Sequence, residues 1–275
     1  MSPHEDRYTH GHHESVLRSH RWRTAENSAA YLLPHLTRGA MLLDVGCGPG
    51  NLTADLARHL GTGTVIGVDR AADVIAKAAT EFGRSRGADL TFAVDNAYDL
   101  SMESASVDIV HAHQILQHLS DPIGALEEWR RVLTPGGLLA VRDADYLAMA
   151  FGPTSPALVH WMDLYHAVAR ANGGEPDAGR HLATWVHAAG FQDLSVSSST
   201  WTFATEDERS FWGGLWADRV LHSEFAIQAL TGGFATHDEL AEISRAFILP
   251  EDIRLTVLVE VPGAGDQKVE GSDAE

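Results

Sequence analysis

Residues 42–53 read LLDVGCGPGNLT, an apolar run that meets an acid at Asp44 and then Gly46, Gly48 and Gly50. A short run of large apolar residues bounded by glycine marks a strand buried on both faces of a parallel sheet. Glycines directly after such a strand give the tight turn and close backbone approach that a ligand at its carboxyl end requires. The stretch therefore predicts a strand, a ligand-holding turn and a helix. Its spacing is G-x-G-x-G, and Asn51 stands where the dinucleotide fingerprint has its last glycine. Pro49 removes one N–H from the turn, and Asp44 repels phosphate while attracting an ammonium group. A nicotinamide-dependent dehydrogenase is disfavoured on this spacing.

Outward from the turn, strand and helix signals alternate. Val65–Val68 is a second strand ending at Asp69, Ala71–Phe82 a helix, and Leu90–Val94 a third strand ending at Asp95. Val107–Ala112 follows, then a helix at Pro122–Leu133, the turn Pro135-Gly136-Gly137 and a fifth strand at Leu138–Val141. With later strands near 194–203 and 255–261, the pattern predicts an α/β fold built on a doubly wound, seven-stranded, mostly parallel sheet. Two helical cap insertions interrupt it, near 146–174 and 206–249. Residues 1–37 read as an N-terminal helical lid segment, with Glu14–Leu36 helix-permissive, and 38–261 as the ligand-binding domain. The polar tail 262–275 is expected to be disordered.

Acids outnumber bases 38 to 20, a net charge of −18, and no basic run appears. Such a surface repels nucleic acid and suits a neutral or cationic ligand. The single cysteine, Cys47, excludes an intrachain disulfide. No apolar run reaches membrane-span length, and the N-terminus lacks a signal-peptide core, so a soluble cytoplasmic protein is expected. Of 16 histidines, His10, His12, His13 and His20 crowd the N-terminus. They lack a recognisable ligand spacing, and no metal site is expected.

Asp69 lies 19 residues beyond Gly50, the place of an acid that grips ribose hydroxyls. Asp95, within Val94-Asp95-Asn96-Ala97, is placed to accept from an adenine amino group. One acid each for an ammonium, a ribose and an adenine describes S-adenosylmethionine better than a dinucleotide. The segments LLDVGCGPGNLT, VIGVDR, VDNAYDL, SVDIVHAHQILQHLSDP and RVLTPGGLLAVRD together resemble the successive motifs of class I S-adenosylmethionine-dependent methyltransferases. The nearest flavour is the small-molecule branch with the ubiquinone/menaquinone C-methyltransferases and natural-product enzymes. That resemblance covers residues 20–145 strongly and implies a Rossmann-like fold. It also implies that Asp44, Gly46, Cys47, Gly48 and Gly50 hold the methionyl part, Asp69 and Arg70 the ribose, and Asp95, Asn96 and Ala97 the adenine. His113 and Gln114, closing the fourth strand, join the same site.

Base candidates at the sheet's carboxyl edge are His113, His118, Asp143 and Asp145, of which His118 and Asp145 are expected to face the substrate. Trp161, Tyr165, Trp212 and Trp216, with Trp201, Phe203 and Phe211, are candidate walls of an apolar acceptor pocket; plain core is the competing reading. Tyr8 and His13 are expected to close over the site, with Arg23 or Arg18 meeting the cofactor carboxylate. Residues 1–20 lack a continuous apolar face, so the segment is expected to be ordered only by ligand or a neighbouring subunit. The expected partners are a small-molecule methyl acceptor and a second copy docked through the N-terminal or cap helices. A regulatory protein that keeps the cofactor and has lost transfer is the competing function.

Overall fold

The computed structural model describes residues 6–11, 13–83, 87–153 and 155–248, and the backbone of 256–261. The tail 262–275 and His12 lie outside the described residues. The central sheet comprises β1 (Met41–Val45), β2 (Thr64–Asp69), β3 (Asp89–Val94), β4 (Val107–His113) and β5 (Leu133–Arg142). Its order is β3-β2-β1-β4-β5, with every pairing parallel. Chain order reverses between β1 and β4, which opens a crevice at the carboxyl end of β1.

Helices coat both faces. The helices α3 (Asn51–Leu60), α4 (Ala72–Phe82) and α5 (Pro122–Val132) follow β1, β2 and β3–β4 in turn. The alternation within β1 sets the two layers. Leu42 packs with Leu52, Leu56 and Leu60, whereas Leu43 packs with Leu126, Trp129 and Val186 on the opposite face. Each such side chain contributes about 1.5–3 kcal/mol by leaving water.

The sheet has five strands, not the expected seven. The chain leaves β5 through β6 (Ala150–Gly152), and β7 (Ser199–Phe203) and β8 (Thr256–Val261) join it in a separate antiparallel sheet, order β6-β8-β7. In β7 only Trp201 and Phe203 are buried, an alternation that suits a one-sided antiparallel strand better than a two-sided parallel one. The fifth strand also starts earlier than Leu138. Pro135-Gly136-Gly137 lies within β5 as an irregularity, and the register with β4 shifts between Val107 and Ile109.

The helices α6 (Pro156–Ala171), α8 (Glu206–His222), α9 (Glu224–Thr231) and α10 (His237–Phe247) form a cap with its own aromatic core around Trp161, Tyr165, Trp216, Phe225 and Phe247. A short helix, α7 (Leu182–Ala188), packs on α5. No helix among the described residues is long and apolar enough to cross a membrane. The N-terminal segment is two helices rather than one, α1 (Glu14–Arg21) and α2 (Ala25–Ser28), because Thr24 starts a new one with a capping box to Asn27. The amide of Asn51, first residue of α3, donates to the carbonyls of His20 at 2.9 Å and Arg23 at 2.8 Å and fixes that corner over the crevice.

Below the crevice, Asp44 is 3% exposed and accepts from Thr53 Oγ1 at 2.5 Å, and it lies 2.7 Å from His111 Nδ1. The trio ties β1, α3 and β4 together. Thr53→Val keeps the shape and removes one donor from a buried carboxylate, so urea unfolding is expected to show a loss of about 1–3 kcal/mol. An unchanged midpoint would mean that Asp44 does not depend on Thr53.

Candidate functional site

A cavity of ≈ 180 Å³ occupies the crevice at the carboxyl ends of β1 to β4. Its floor is the glycine turn, where Gly48 and Gly50 have φ of +53° and +82°, a left-handed conformation costly for other residues. At Gly50 a Cβ would also meet Phe92 Cε1 at 2.7 Å, while at Gly48 it would meet only His20 Nδ1 at 3.5 Å, so the backbone there stays open to the cavity.

Asp69, at the end of β2, lines the cavity with both oxygens engaged once: Gly48 N donates to Oδ2 at 3.1 Å and Ala71 N to Oδ1 at 3.0 Å. A carboxylate oxygen has two lone pairs, so each retains one for a hydroxyl of a vicinal diol. Asp95, Asn96 and Ala97 line the adjoining wall, with Asp95 accepting from Ser101 N and Asn96 N at 2.9 Å. Asp44 lines the cavity as well, and with Thr53 on one oxygen and His111 beside the other it also braces the turn from beneath.

The opposite wall is N-terminal. Arg23 donates to Gln114 Oε1, and its Nε is buried without a partner. Gln114 itself is held at φ +56°, strained for a non-glycine residue, at the exit of β4. Tyr8, Asp6 and His20 complete the wall. Of the two candidate arginines only Arg23 reaches the cavity; Arg18 turns outward to Asp218 at 3.5 Å. The segment before α1 runs over the crevice as a strap. Asp6 accepts from Ser120 N at 2.9 Å and Arg70 Nη2 at 2.5 Å on one side, and Arg7 pairs with Glu224 at 2.6 Å on the other. Polar bonds and the buried Thr9 and His10 attach this segment to the protein where a continuous apolar face is lacking. Arg70 thus serves the strap as well as the cavity rim. An acid with a spare lone pair on each oxygen, a guanidinium whose Nε has no partner and an open glycine turn on one cavity fit S-adenosylmethionine.

A second, smaller cavity of ≈ 30 Å³ adjoins the first and shares Tyr8, His20, Arg23, Gln114 and His118 with it. Trp212 and Trp216 line it, as expected. Trp161 and Tyr165 do not; they are 0% and 1% exposed cap core, although the Tyr165 hydroxyl lies 3.0 Å from His10 Nε2. His13 is also displaced, its ring accepting from Ser15 N at 3.3 Å as the cap of α1. Of the described N-terminal histidines, His20 lines both cavities and His10 the second, its ring 5.7 Å from those of His118 and Trp216. His13 lies three residues after His10, and spacing alone carries no sign of which faces inward. Tyr146 and Arg219 are further lining residues that no motif marked, and Gln117 is one that lies within the segment 106–122 but is not singled out there.

Asp145 is a correction. It is fully buried and gives both oxygens to Arg180, at 2.6 and 2.8 Å, lining neither cavity. Asp143 likewise faces the Leu116 and Gln117 amides, and burial pushes its carboxyl up to about 7. His118 lines both cavities, where burial first and Arg23 second hold it down to about 3, so it is neutral. Burial followed by nearby arginine charge also lowers His10 and His113 well below their ordinary value. Cys47 is a buried thiol pushed well above its ordinary range by burial and then Asp44, which removes it as a nucleophile. Among the described residues, one trio of metal-ligand types converges: Glu26, Asp55 and His59. It lies away from both cavities, and Asp55 is spent on Ala25 N and Arg58.

Residues 43–141 match the family described as methyltransferase domain. An uncharacterised methyltransferase of Schizosaccharomyces pombe is 34% identical over 226 residues, 78% of this chain and 80% of the relative. The ubiquinone/menaquinone biosynthesis C-methyltransferase of Bdellovibrio bacteriovorus is 32% identical over 103 residues, 38% of this chain and 43% of that protein. A crystal structure of a methyltransferase from Bacillus halodurans shares the fold with a TM-score of 0.54 at 18% identity, over 84% of this chain and 94% of that one.

The neutral histidines make the fold acid-sensitive. On unfolding, His10, His113 and His118 regain their ordinary value of 6.5 and bind protons that the folded state does not. Asp143 acts in the opposite sense, one group against three. Stability is therefore full above about pH 6.5 and drains as pH falls toward the carboxylate range. Melting temperature is expected to drop over that interval, less steeply in His118→Gln, and a flat profile would contradict the burial of neutral imidazoles.

Proposed function

The chain belongs to the class I S-adenosylmethionine-dependent methyltransferases, and from that premise we propose that its acceptor is a small, largely apolar molecule seated in the aromatic cavity beside the cofactor site. One observation carries this reading: the two cavities share a wall made of Tyr8, His20, Arg23, Gln114 and His118. A molecule in the second cavity therefore faces whatever fills the first.

When bound, S-adenosylmethionine supplies a sulfonium methyl group already activated by its charge. The protein's own work is then alignment and exclusion of water. Asp69 accepts from the ribose diol through the lone pairs that Gly48 and Ala71 leave it. Arg23, steadied by Gln114 and Asn51, meets the methionyl carboxylate. The strap of residues 6–11 closes the crevice from both rims, and its Tyr8 ring stands 4.8 Å from that of His118. Trp201, Trp212, Trp216 and Tyr146 give the acceptor flat apolar walls. His118 contributes a neutral imidazole at the shared wall. A group held near 3 is a weak general base, so it suits alignment better than proton removal.

Asp69→Ala is expected to weaken S-adenosylmethionine binding by about 1–3 kcal/mol in calorimetry, the cost of leaving the bound ribose hydroxyls without their acceptor. Unchanged affinity would refute the ribose role. The acceptor reading is tested by S-adenosylhomocysteine release over a panel of apolar hydroxyl, amine and carbon acceptors. Cofactor binding with no turnover on any of them would favour a regulatory protein instead.

A further inference from the structure

The second cavity has a charge character opposite to that of the chain. The protein carries a net charge of −18, yet among the described residues no Asp or Glu lines this cavity, and two arginines do, Arg23 and Arg219. Arg23 lies in the shared wall and already has a use there. Arg219 lines only the second of the two cavities and has no part in the cofactor site.

Arg219 is 4% exposed, and its guanidinium donates to Ser19 Oγ at 2.9 Å and the Ser15 carbonyl at 3.3 Å. It stacks on Trp216 with Cζ 4.4 Å from the ring centroid. Among the described residues it forms no ion pair, and the ionisable side chains that act most strongly on it are the phenols of Tyr146, Tyr8 and Tyr165. A guanidinium buried with only neutral partners is costly, and an entering anion removes that cost.

The hydrogen-bonding inventory points the same way. Four N–H groups on lining residues are buried without a partner: Arg219 Nε, Arg23 Nε, Trp212 Nε1 and Trp216 Nε1. The matching unpartnered acceptor is Gln117 Oε1, while His10 Nδ1 serves in either sense according to its tautomer. Among the buried atoms of these lining residues, unpartnered donors outnumber the unpartnered acceptor four to one, an inventory that a ligand bringing lone pairs would satisfy. A carboxylate brings four and matches the planar fork of arginine.

Resting on the proposed transfer reaction, we propose that the acceptor is an anion, an apolar acid whose carboxylate is held by Arg219 and the neighbouring indole N–H groups. At ≈ 30 Å³ the cavity admits only the carboxylate, so the rings of Tyr146, Trp201 and Trp212 move apart to take its apolar body. The negative charge also offsets the positive charge that the adjoining cofactor site receives, which an unaccompanied Arg219 would oppose.

The test is ligand-detected NMR titration of the S-adenosylhomocysteine-loaded protein with two pairs of probes, benzoate against benzamide and cinnamate against cinnamamide. In at least one pair the carboxylate is expected to bind roughly tenfold more tightly or better, the scale of a charged hydrogen bond. Arg219→Gln is expected to abolish that preference and Arg219→Lys to retain part of it. Because Arg219 also braces α1, Trp212→Phe is the gentler variant: it keeps a ring, removes one N–H and is expected to weaken the carboxylate without weakening the amide. Equal binding within both pairs, no binding of either carboxylate, or a preference untouched by Arg219→Gln and Trp212→Phe overturns the proposal. Calorimetry of S-adenosylhomocysteine on the same samples separates the two levels. If it does not bind, the transfer reading falls; if it binds and no charge preference exists, only this inference falls.

Discussion

A carboxylate 3% exposed, with Thr53 on one oxygen and His111 on the other, sits beneath the glycine turn, and the site depends on it. A charge buried this deeply is tolerated only while its oxygens are held. Asp44 therefore fixes three elements at once: its own strand, the helix that starts after the turn, and the strand across the topological switch. The turn above needs that rigidity, because Gly48 must offer open backbone to the cavity while Asp69 holds its amide.

The roof is built from different material. The strap and α1 are held by polar bonds to both rims, and by Asn51, which reaches from the first turn of α3 to the carbonyls of His20 and Arg23. Bonds of this kind are individually modest in net stability and are exchangeable with water. They suit a cover that seals a reactive centre and still has to open. The cap behind it is the opposite case, a dry aromatic core that holds Trp212, Trp216 and Arg219 in fixed places.

Electrostatics separate the surface from the interior. The chain is acidic overall and buries several aspartates on hydrogen-bond partners, yet Arg142 and Arg219 are buried, and Arg23 half-buried, with no ion-pair partner among the described residues. Their combined field, together with burial, keeps His10, His113 and His118 neutral. Net charge therefore describes what the surface repels and says little about what the cavity accepts.

The sequence alone determined the strand–turn–helix unit, the parallel order of its neighbours, and the placing of Asp69 and Asp95 at successive strand ends. Each of those follows from local chemistry: apolar runs bounded by glycine, and acids at a spacing that the βαβ unit imposes. Pairing beyond β5 was not legible, since Ser199–Phe203 and Thr256–Val261 read as strands whichever sheet receives them. Nor was the direction of a side chain in a segment without periodicity. His13 and His10 look alike in the sequence, yet one caps a helix and the other enters the aromatic cavity. Asp145 looked like a base at a strand end until Arg180, 35 residues later, took both its oxygens. Arg219 carried no motif, because its meaning lies in the absence of a nearby acid. Which charges lie near one another in space is set by how the cap folds back onto the sheet, and only the tertiary structure decides that.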